Sequence, residues 1–124
     1  MITIDYQNRK PIYEQIADRV EAMILSGAVK PQTQLPSVRS LAVELSINPN
    51  TIQKAYACLE QEGLIYPVKG RGNFVCQLSD MEERRRDACY KMLKNLVEEG
   101  KQLGITREEM VDYVRHLYGG GDER

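Results

Sequence analysis

The stretch INPNTIQKAY (Ile47–Tyr56) decides the fold, because it contains both a helix start and the side chains that the helix presents. Asn48 is a good N-cap, since its side-chain oxygen can accept a hydrogen bond from a free backbone N–H of the first turn. Pro49 then falls at the first helical position, where its missing N–H costs nothing. Gly63 is a typical C-terminal stop. These signals predict a helix from about Pro49 to Glu62.

This predicted helix has one apolar face and one polar face. The apolar residues recur at a spacing of i, i+3, i+4 and i+7, which is typical of a buried helix face: Ile52, Ala55, Tyr56 and Leu59. The first turns leave short or amide-bearing side chains and one cation on the other side: Asn50, Thr51, Gln53 and Lys54. A solvated surface explains this polar face, and so does a surface that binds DNA. The rest of the chain has to separate the two interpretations.

Composition limits the classes of protein. The chain has 124 residues, 42% of them hydrophobic, a formal net charge of −1 and a mean hydropathy of −0.48. We expect one soluble domain, with an appendage at most. No apolar run approaches the 18 or so residues of a membrane span, and MITIDYQNRKPIYEQ lacks the pattern of a signal peptide. None of the three cysteines lies in a C-x-x-C pair and there is a single histidine, so we expect a reduced, cytoplasmic protein without a metal or cofactor.

Two further helices and a short strand are predicted ahead of this segment. Residues 2–6 alternate apolar and polar side chains, which favours a strand, and Pro11 then opens a helix that ends at Ser26 and Gly27. Ser37 can cap a shorter helix whose apolar face consists of Val38, Leu41, Ala42 and Leu45. A turn at Ser46 and Ile47 leads into the helix at Pro49. Two helices joined by so short a turn indicate a helix-turn-helix.

A β-ribbon with a basic tip is predicted directly after these helices. The period changes from 3.6 to 2 in LIYPV (64–68), KGRG (69–72) forms a turn, and NFVCQ (73–77) returns as the second strand. Pro67 suits an edge position only. Segments 30–57 and 63–77 together contain five cations and one acid, Glu44, on a nearly neutral chain. Helix, helix, helix, ribbon is the winged-helix order, and its local positive charge favours a polyanionic partner.

Residues 11–77 resemble the winged-helix domain of the GntR family of bacterial transcription regulators. Four segments follow that family's pattern in order: PIYEQIADRVEAMILSG (11–27), LPSVRSLAVEL (35–45), NPNTIQKAYACLEQEGLI (48–65) and GRGNFV (70–75). The remainder resembles the YtrA subfamily, in which a small two-helix tail stands in place of the large effector domain of other members. The resemblance implies a mainly α fold with a small β-ribbon, a winged helix-turn-helix domain followed by a helical dimerisation tail.

Chemistry and resemblance agree on most of the residues that would contact DNA. Amides can pair with adenine and a threonine methyl can touch thymine. Lys54 is expected at a phosphate, Arg39 at a phosphate or a groove edge, and the wing cations Lys69 and Arg71 at flanking phosphates or in the minor groove. Ser37 either caps its helix only or also donates to a phosphate. The glycines of the turn allow close approach of the tip. The predicted DNA-binding residues are Ser37, Arg39, Asn50, Thr51, Gln53, Lys54, Lys69, Gly70, Arg71 and Gly72.

The segment after residue 77 is predicted to dimerise. Residues 80–100 have a helical pattern, and Thr106 and Glu109 have the spacing of a capping box for a last helix. Two amphipathic helices cannot bury both of their apolar stripes alone, so either the winged helix or, preferably, a second subunit covers them. The predicted interface residues are Cys89, Met92, Leu93, Leu96, Val97, Met110, Val114 and Leu117. Residues 83–86, Glu-Arg-Arg-Arg, are interpreted as a solvated helix face in preference to a DNA-binding patch.

The predicted organisation is therefore a DNA-binding domain at 1–77, a dimerisation region at 78–118 and a flexible end at 119–124. An enzyme is disfavoured because His116 has no serine or cysteine at a useful spacing and no phosphate loop is present. A winged helix that binds only protein would have a neutral or apolar recognition face. The resemblance implies a homodimeric repressor that binds a double-stranded DNA operator of its own operon, often with transporter genes. Any small-molecule effector would bind at a subunit interface.

Overall fold

The computed structural model describes residues 2–119, and the predicted flexible end lies outside them from residue 120 onward. The elements follow one another as α1 (Ile12–Leu25), α2 (Val38–Leu45), α3 (Pro49–Gln61), β1 (Ile65–Val68), β2 (Gly72–Val75), α4 (Met81–Gln102) and α5 (Arg107–Leu117). A single 3₁₀ turn, Leu78–Asp80, precedes α4. The predicted fold class, mainly α with a small β-ribbon, is confirmed.

The start and the buried face of α3 are as predicted. The Asn48 side chain accepts a hydrogen bond from the Asn50 N–H at 2.8 Å, and Pro49 occupies the first turn. All four residues of the predicted stripe are buried: Ile52, Ala55, Tyr56 and Leu59. The helix ends at Gln61, one residue before the predicted end, and Gly63 follows with a φ of +77°.

The turn between α2 and α3 depends on a left-handed residue. Ser46 has a φ of +55°, a conformation that costs any residue with a Cβ. Ser37 caps α2 by accepting from the Ser40 N–H at 3.0 Å, as predicted. The Tyr56 hydroxyl donates to the Pro36 carbonyl at 2.8 Å and thereby ties α3 to the segment before α2. These contacts fix the two helices of the helix-turn-helix against each other.

The predicted strand at residues 2–6 is wrong. The segment has no strand structure, although Ile2 and Ile4 do pack half-buried against the core. Its polar backbone groups bond to a side chain, since the Asp5 N–H donates to Gln15 Oε1 at 2.9 Å and Gln15 Nε2 donates to the Asp5 carbonyl at 3.0 Å. Gln15 is itself buried in α1. The alternation of apolar and polar residues at 2–6 therefore arises because an irregular segment half-buries Ile2 and Ile4, and not because the segment pairs in a sheet.

The ribbon consists of β1 and β2 in antiparallel register, with Tyr66 opposite Phe74 and Val68 opposite Gly72. Strand β1 begins at Ile65, one residue later than predicted, and β2 begins at Gly72, one residue earlier than predicted. Gln34 forms an isolated antiparallel bridge to Phe74, so the loop before α2 lies along the outer edge of β2. Pro67 lies in β1, at the opposite edge of this two-stranded sheet, which is the edge position predicted for it.

The chain divides into two compact units, Met1–Cys89 and Tyr90–Arg124. In the first unit, Met81 packs against the core and Ala88 is buried, so the first turns of α4 belong to it. A Cβ on Gly63 would clash with the Met81 carbonyl oxygen and with the Arg85 side chain. A glycine is therefore required where α3 ends beneath α4. The predicted domain boundary after residue 77 stays a prediction.

The second unit is a helical hairpin. Thr106 accepts a hydrogen bond from the Glu109 N–H, and the Glu109 carboxylate accepts from the Thr106 N–H, which is the predicted capping box. Gly100 is buried in α4 because the Met110 side chain of α5 lies against it. Most of the remaining apolar side chains of the hairpin are exposed.

Candidate nucleic-acid interface

The exposed start of α3 presents the side chains that were predicted to read bases. Asn50 and Gln53 are exposed and Thr51 is half-buried, while the opposite face of the helix is in the core. The Asn50 side chain is not used in capping, because the cap hydrogen bond involves its backbone N–H. Its amide group is therefore available to a partner. Whether these three residues contact bases stays a prediction.

Lys54, on the same exposed face of α3, is supported by an aromatic ring of α1. Its Nζ lies 4.5 Å from the centroid of the Tyr13 ring, a cation–π arrangement. The Tyr13 hydroxyl in turn donates to the Glu14 carboxylate at 3.3 Å. Sequence reasoning missed Tyr13. The α1·α3 packing that brings it to Lys54 joins residues far apart in the chain, and only a helix-register argument would have suggested the pair.

The start of α2 supplies one further cation. Arg39 is exposed in the first turn of α2, next to the cap residue Ser37, which is also exposed. The capping role of Ser37 is confirmed, and its second role as a phosphate donor stays a prediction. Because α2 packs against α3, Arg39 belongs to the same helix-turn-helix as the base-reading side chains.

The tip of the ribbon is an exposed turn that comprises Lys69, Gly70 and Arg71. Gly70 and Gly72 have φ values of +78° and +111°, so both glycines that were predicted to need unusual backbone angles do so. A Cβ on Gly70 would meet nothing within 4 Å, which leaves open space in front of the tip. The turn therefore presents backbone and two cations to the solvent without obstruction.

Gln34 ties this tip to the loop before α2. Its Nε2 donates to the Arg71 carbonyl at 2.5 Å, and a Cβ on Gly72 would come within 3.0 Å of the same nitrogen. Sequence reasoning missed Gln34. Its thirty-seven-residue separation from Arg71 leaves no periodic signal.

The predicted cations are not neutralised by the protein. Within residues 2–119, none of the four cations Arg39, Lys54, Lys69 and Arg71 forms an ion pair with a carboxylate. Lys10, which does not belong to the candidate interface, pairs with Asp18 at 2.6 Å. Uncompensated cations at a surface are available to phosphates.

The hairpin of the second unit has an apolar groove between its helices. Its volume is about 620 Å³, and it is lined by Leu93, Val97, Lys101, Ile105, Thr106, Arg107, Met110, Val111, Val114 and Arg115. Four of these lining residues belong to the predicted dimer interface. The other predicted interface residues, Cys89, Met92, Leu96 and Leu117, are exposed. So much uncovered apolar surface is typical of an interaction site.

Other kinds of site find little support in the part of the chain that the structure covers. Residues 2–119 contain no group of three or more histidine, cysteine, aspartate or glutamate side chains that could hold a metal ion. None of the helices described is both long and apolar enough to cross a membrane. Burial raises the pKa of the Cys58 and Cys76 thiols, which makes thiolate chemistry at these positions less favourable.

Comparison with known proteins shows which family the chain resembles. The family model described as bacterial regulatory proteins, gntR family, matches residues 12–75. The HTH-type transcriptional repressor YtrA of Bacillus subtilis is 35% identical over 94% of this chain and 92% of its own length. The structure of YtrA from Sulfolobus acidocaldarius, a GntR-family transcription factor, superposes with a TM-score of 0.59 at 39% identity, covering 75% of this chain and 97% of that one. The DNA-binding domain of AraR in complex with operator ORR3 superposes with a TM-score of 0.52 at 28% identity, covering 60% and 89%.

Proposed function

The chain belongs to the GntR family of bacterial regulatory proteins, and on that premise we propose that it is a homodimeric repressor that binds a palindromic operator. Members of this family are DNA-binding transcription regulators and not enzymes. The finer parts of the proposal concern the residues that contact DNA, the dimer and the sign of regulation.

One observation carries the DNA-binding part of the proposal. The start of α3, with Asn50 and Gln53, is exposed, and so are the cations of α2 and the ribbon tip, which form no ion pair within residues 2–119. A surface used only for protein contact would be neutral or apolar. Amides at a helix start placed in the major groove read base edges, while flanking cations hold the phosphates. The AraR domain, which was crystallised with its operator, shares this fold.

The exposed apolar surface of the hairpin supports the homodimer. Leu96 is 59% exposed and Leu117 is 63% exposed, and Leu93 and Val114 line the open groove. A second copy of the chain offers the same surface, so a two-fold interface would cover both at once. Two-fold symmetry also matches the two half-sites of a palindrome. Any small-molecule effector would then bind at or near this interface.

The direction of regulation rests on the relatives. The YtrA protein of Bacillus subtilis is named a transcriptional repressor, and so is NagR, which is 32% identical over 90% of this chain. We infer that this chain is a cytoplasmic repressor too, and that its targets include its own operon, with transporter genes among them. A reporter gene under the chain's own promoter should be more active when the chain is deleted.

A direct test selects DNA from a random pool with the full-length protein and then measures affinity for the selected duplex. We expect a palindromic sequence. If two subunits together neutralise about eight phosphates, log K should fall with log[salt] at a slope of about −7. A protein that selects no sequence, or a slope near zero, would contradict the proposed DNA surface.

The dimer is tested by sedimentation of single variants. Leu96→Glu places a charge in the predicted interface and should produce monomers that bind the palindrome about 10²–10⁴-fold more weakly, because the second half-site contact is no longer intramolecular. Leu103→Glu is the matched control, since Leu103 is 71% exposed but outside the predicted interface. If Leu96→Glu stays dimeric, the interface has been assigned to the wrong surface.

A further inference from the structure

Four side chains form a continuous row along one side of the ribbon, from its tip to α4. The Arg71 guanidinium carbon lies 5.8 Å from the centroid of the Phe74 ring. The rings of Phe74 and Tyr66 stack with centroids 6.0 Å apart and an interplanar angle of 27°. The Arg84 guanidinium carbon lies 4.2 Å from the centroid of the Tyr66 ring. The two arginines thus flank a pair of stacked rings, and we call these four residues the aromatic row.

The two ends of the row differ in their surroundings. Arg71 is exposed at the tip, whereas Arg84 is half-buried in the first turns of α4. Burial raises the pKa of the neighbouring Cys76 thiol, and the Arg84 guanidinium opposes that shift with its charge and a hydrogen bond. Arg84 is therefore not part of a fully solvated helix face, and that interpretation of residues 83–86 is wrong for this residue.

An isolated two-stranded ribbon is only marginally stable in water and needs packing partners. Gln34 holds this ribbon on the side of β2 through the Arg71 carbonyl. The aromatic row covers one face of the ribbon, because Arg84 packs on Tyr66, Tyr66 stacks on Phe74, and Arg71 lies over Phe74. A planar guanidinium is suited to such stacking on rings.

We propose that Arg84 is a positioning residue for DNA binding, which acts through the two rings to fix the orientation of the wing-tip cation Arg71. This inference rests on the proposed function, in which Arg71 contacts DNA. Arg84 does not touch DNA in this arrangement. The alternative, a direct phosphate contact by Arg84, becomes one outcome of the test.

The test is a double-mutant cycle in the full-length protein, measured on the selected duplex. Arg84→Gln should lower affinity about 3–10-fold in the parent. In a Phe74→Leu background, where the row is already interrupted, the same change should have no further effect. Arg84→Lys should retain most of the affinity, since an ammonium group can also lie over a ring. Arg86→Gln, at an exposed position two residues away, is the matched control and should change nothing.

Two outcomes would overturn the proposal. An equal loss in both backgrounds, with a salt slope about 0.9 smaller in magnitude for each Arg84 lost, would mean that Arg84 contacts a phosphate directly. Unchanged affinity with a lower unfolding temperature would mean that Arg84 stabilises the fold and nothing more. Thermal unfolding of each variant ensures that affinities are compared between folded proteins.

A measurement without DNA separates this inference from the proposed function. In the free protein, NMR resonances of the Arg71 side chain should carry a ring-current shift from Phe74 that changes in Arg84→Gln and not in Arg86→Gln. If the protein selects no DNA but the shift responds, the proposed function fails while the row is real. If the shift does not respond, the row does not transmit the change and the inference fails by itself.

Discussion

The ammonium group of Lys54 on α3 lies 4.5 Å from the centre of the Tyr13 ring on α1. Helix α1, which lies far from the predicted base-reading residues along the chain, thus contributes a side chain to the surface of the recognition helix α3. Tyr13 is itself half-buried and packs against the core. Lys54 is consequently held close to the protein by a contact that no local sequence pattern contains.

This contact should be measurable as a coupling in stability. We expect the double variant Tyr13→Leu, Lys54→Met to be less destabilised than the sum of its single variants by about 0.5–1 kcal/mol, the range of an exposed cation–π contact. Urea unfolding of the four proteins gives the coupling. Tyr13→Phe keeps the ring and should keep the coupling to Lys54. Strict additivity would show that the ring and the cation do not interact in solution.

The polar side chains of the DNA surface should fall into two groups. Asn50→Ala and Gln53→Ala should each cost about 1–3 kcal/mol at particular base pairs and relax the preference there. Lys54→Ala and Arg71→Ala should weaken binding to all sequences alike, because phosphates carry no sequence information. Affinities for the operator and for its single-base variants decide this. The same sequence-selective loss in all four variants would refute the division of roles.

Gly63 and Gly70 provide a matched pair for the backbone. Both have a left-handed φ, +77° and +78°, but only Gly63 lies beneath α4. Gly70→Ala should cost about 1–2 kcal/mol from the backbone conformation alone. Gly63→Ala should cost about 2–5 kcal/mol, because its Cβ also has to displace the Met81 backbone. Equal losses in urea unfolding would mean that the start of α4 yields freely.

Tyr56 should make the protein sensitive to alkali. Burial raises the pKa of Tyr56 to about 12, from an ordinary value of 10.0. Between these values the unfolded chain loses the phenolic proton while the folded protein keeps it, so the free energy of unfolding falls as pH rises, by about 2–3 kcal/mol over the whole window.

The control for this pH dependence is Tyr56→Phe, which lacks both the titrating group and the hydrogen bond to Pro36. Chemical unfolding from pH 9 to 11.5 should show the parent losing its advantage over the variant as pH rises. The lysines titrate in both proteins and cancel in the difference. A constant difference across this range would mean that the phenol ionises in the folded protein as readily as in the unfolded one.

The helix-turn-helix could be predicted from the sequence because its signals are local. The cap at Asn48, the proline at position 49 and the stripe that includes Ile52 and Tyr56 all act within a few residues of chain. The strand predicted at residues 2–6 was wrong because it, too, was inferred from a local pattern, whereas a strand needs a pairing partner elsewhere in the chain. A period of two reports alternating burial, and it says nothing about whether another strand is present to pair with.

The contacts that shape the candidate site were less accessible to sequence reasoning. A four-residue turn at 69–72 would place Tyr66 opposite Val75. In the structure Gly72 already pairs with Val68, so the turn has three residues and Tyr66 lies opposite Phe74 instead. The contacts of Gln34 with Arg71 and of Arg84 with Tyr66 depend on how loop and helix close onto the ribbon. The positions of this loop and helix depend on the packing of the whole core, and no periodic pattern in a single sequence indicates that packing.

The placement of Met81 over Gly63 has a consequence for exchanging parts between relatives. Helix α4 begins inside the first compact unit, at Met81, and ends in the second, at Gln102. A chimera joined at residue 77 would replace the residues that cover Gly63, whereas one joined after Cys89 would retain them. A junction after Cys89 lies inside α4, so the grafted segment has to continue that helix. An exchange of tails between relatives is therefore expected to preserve the fold when the first turns of α4 stay with the winged helix.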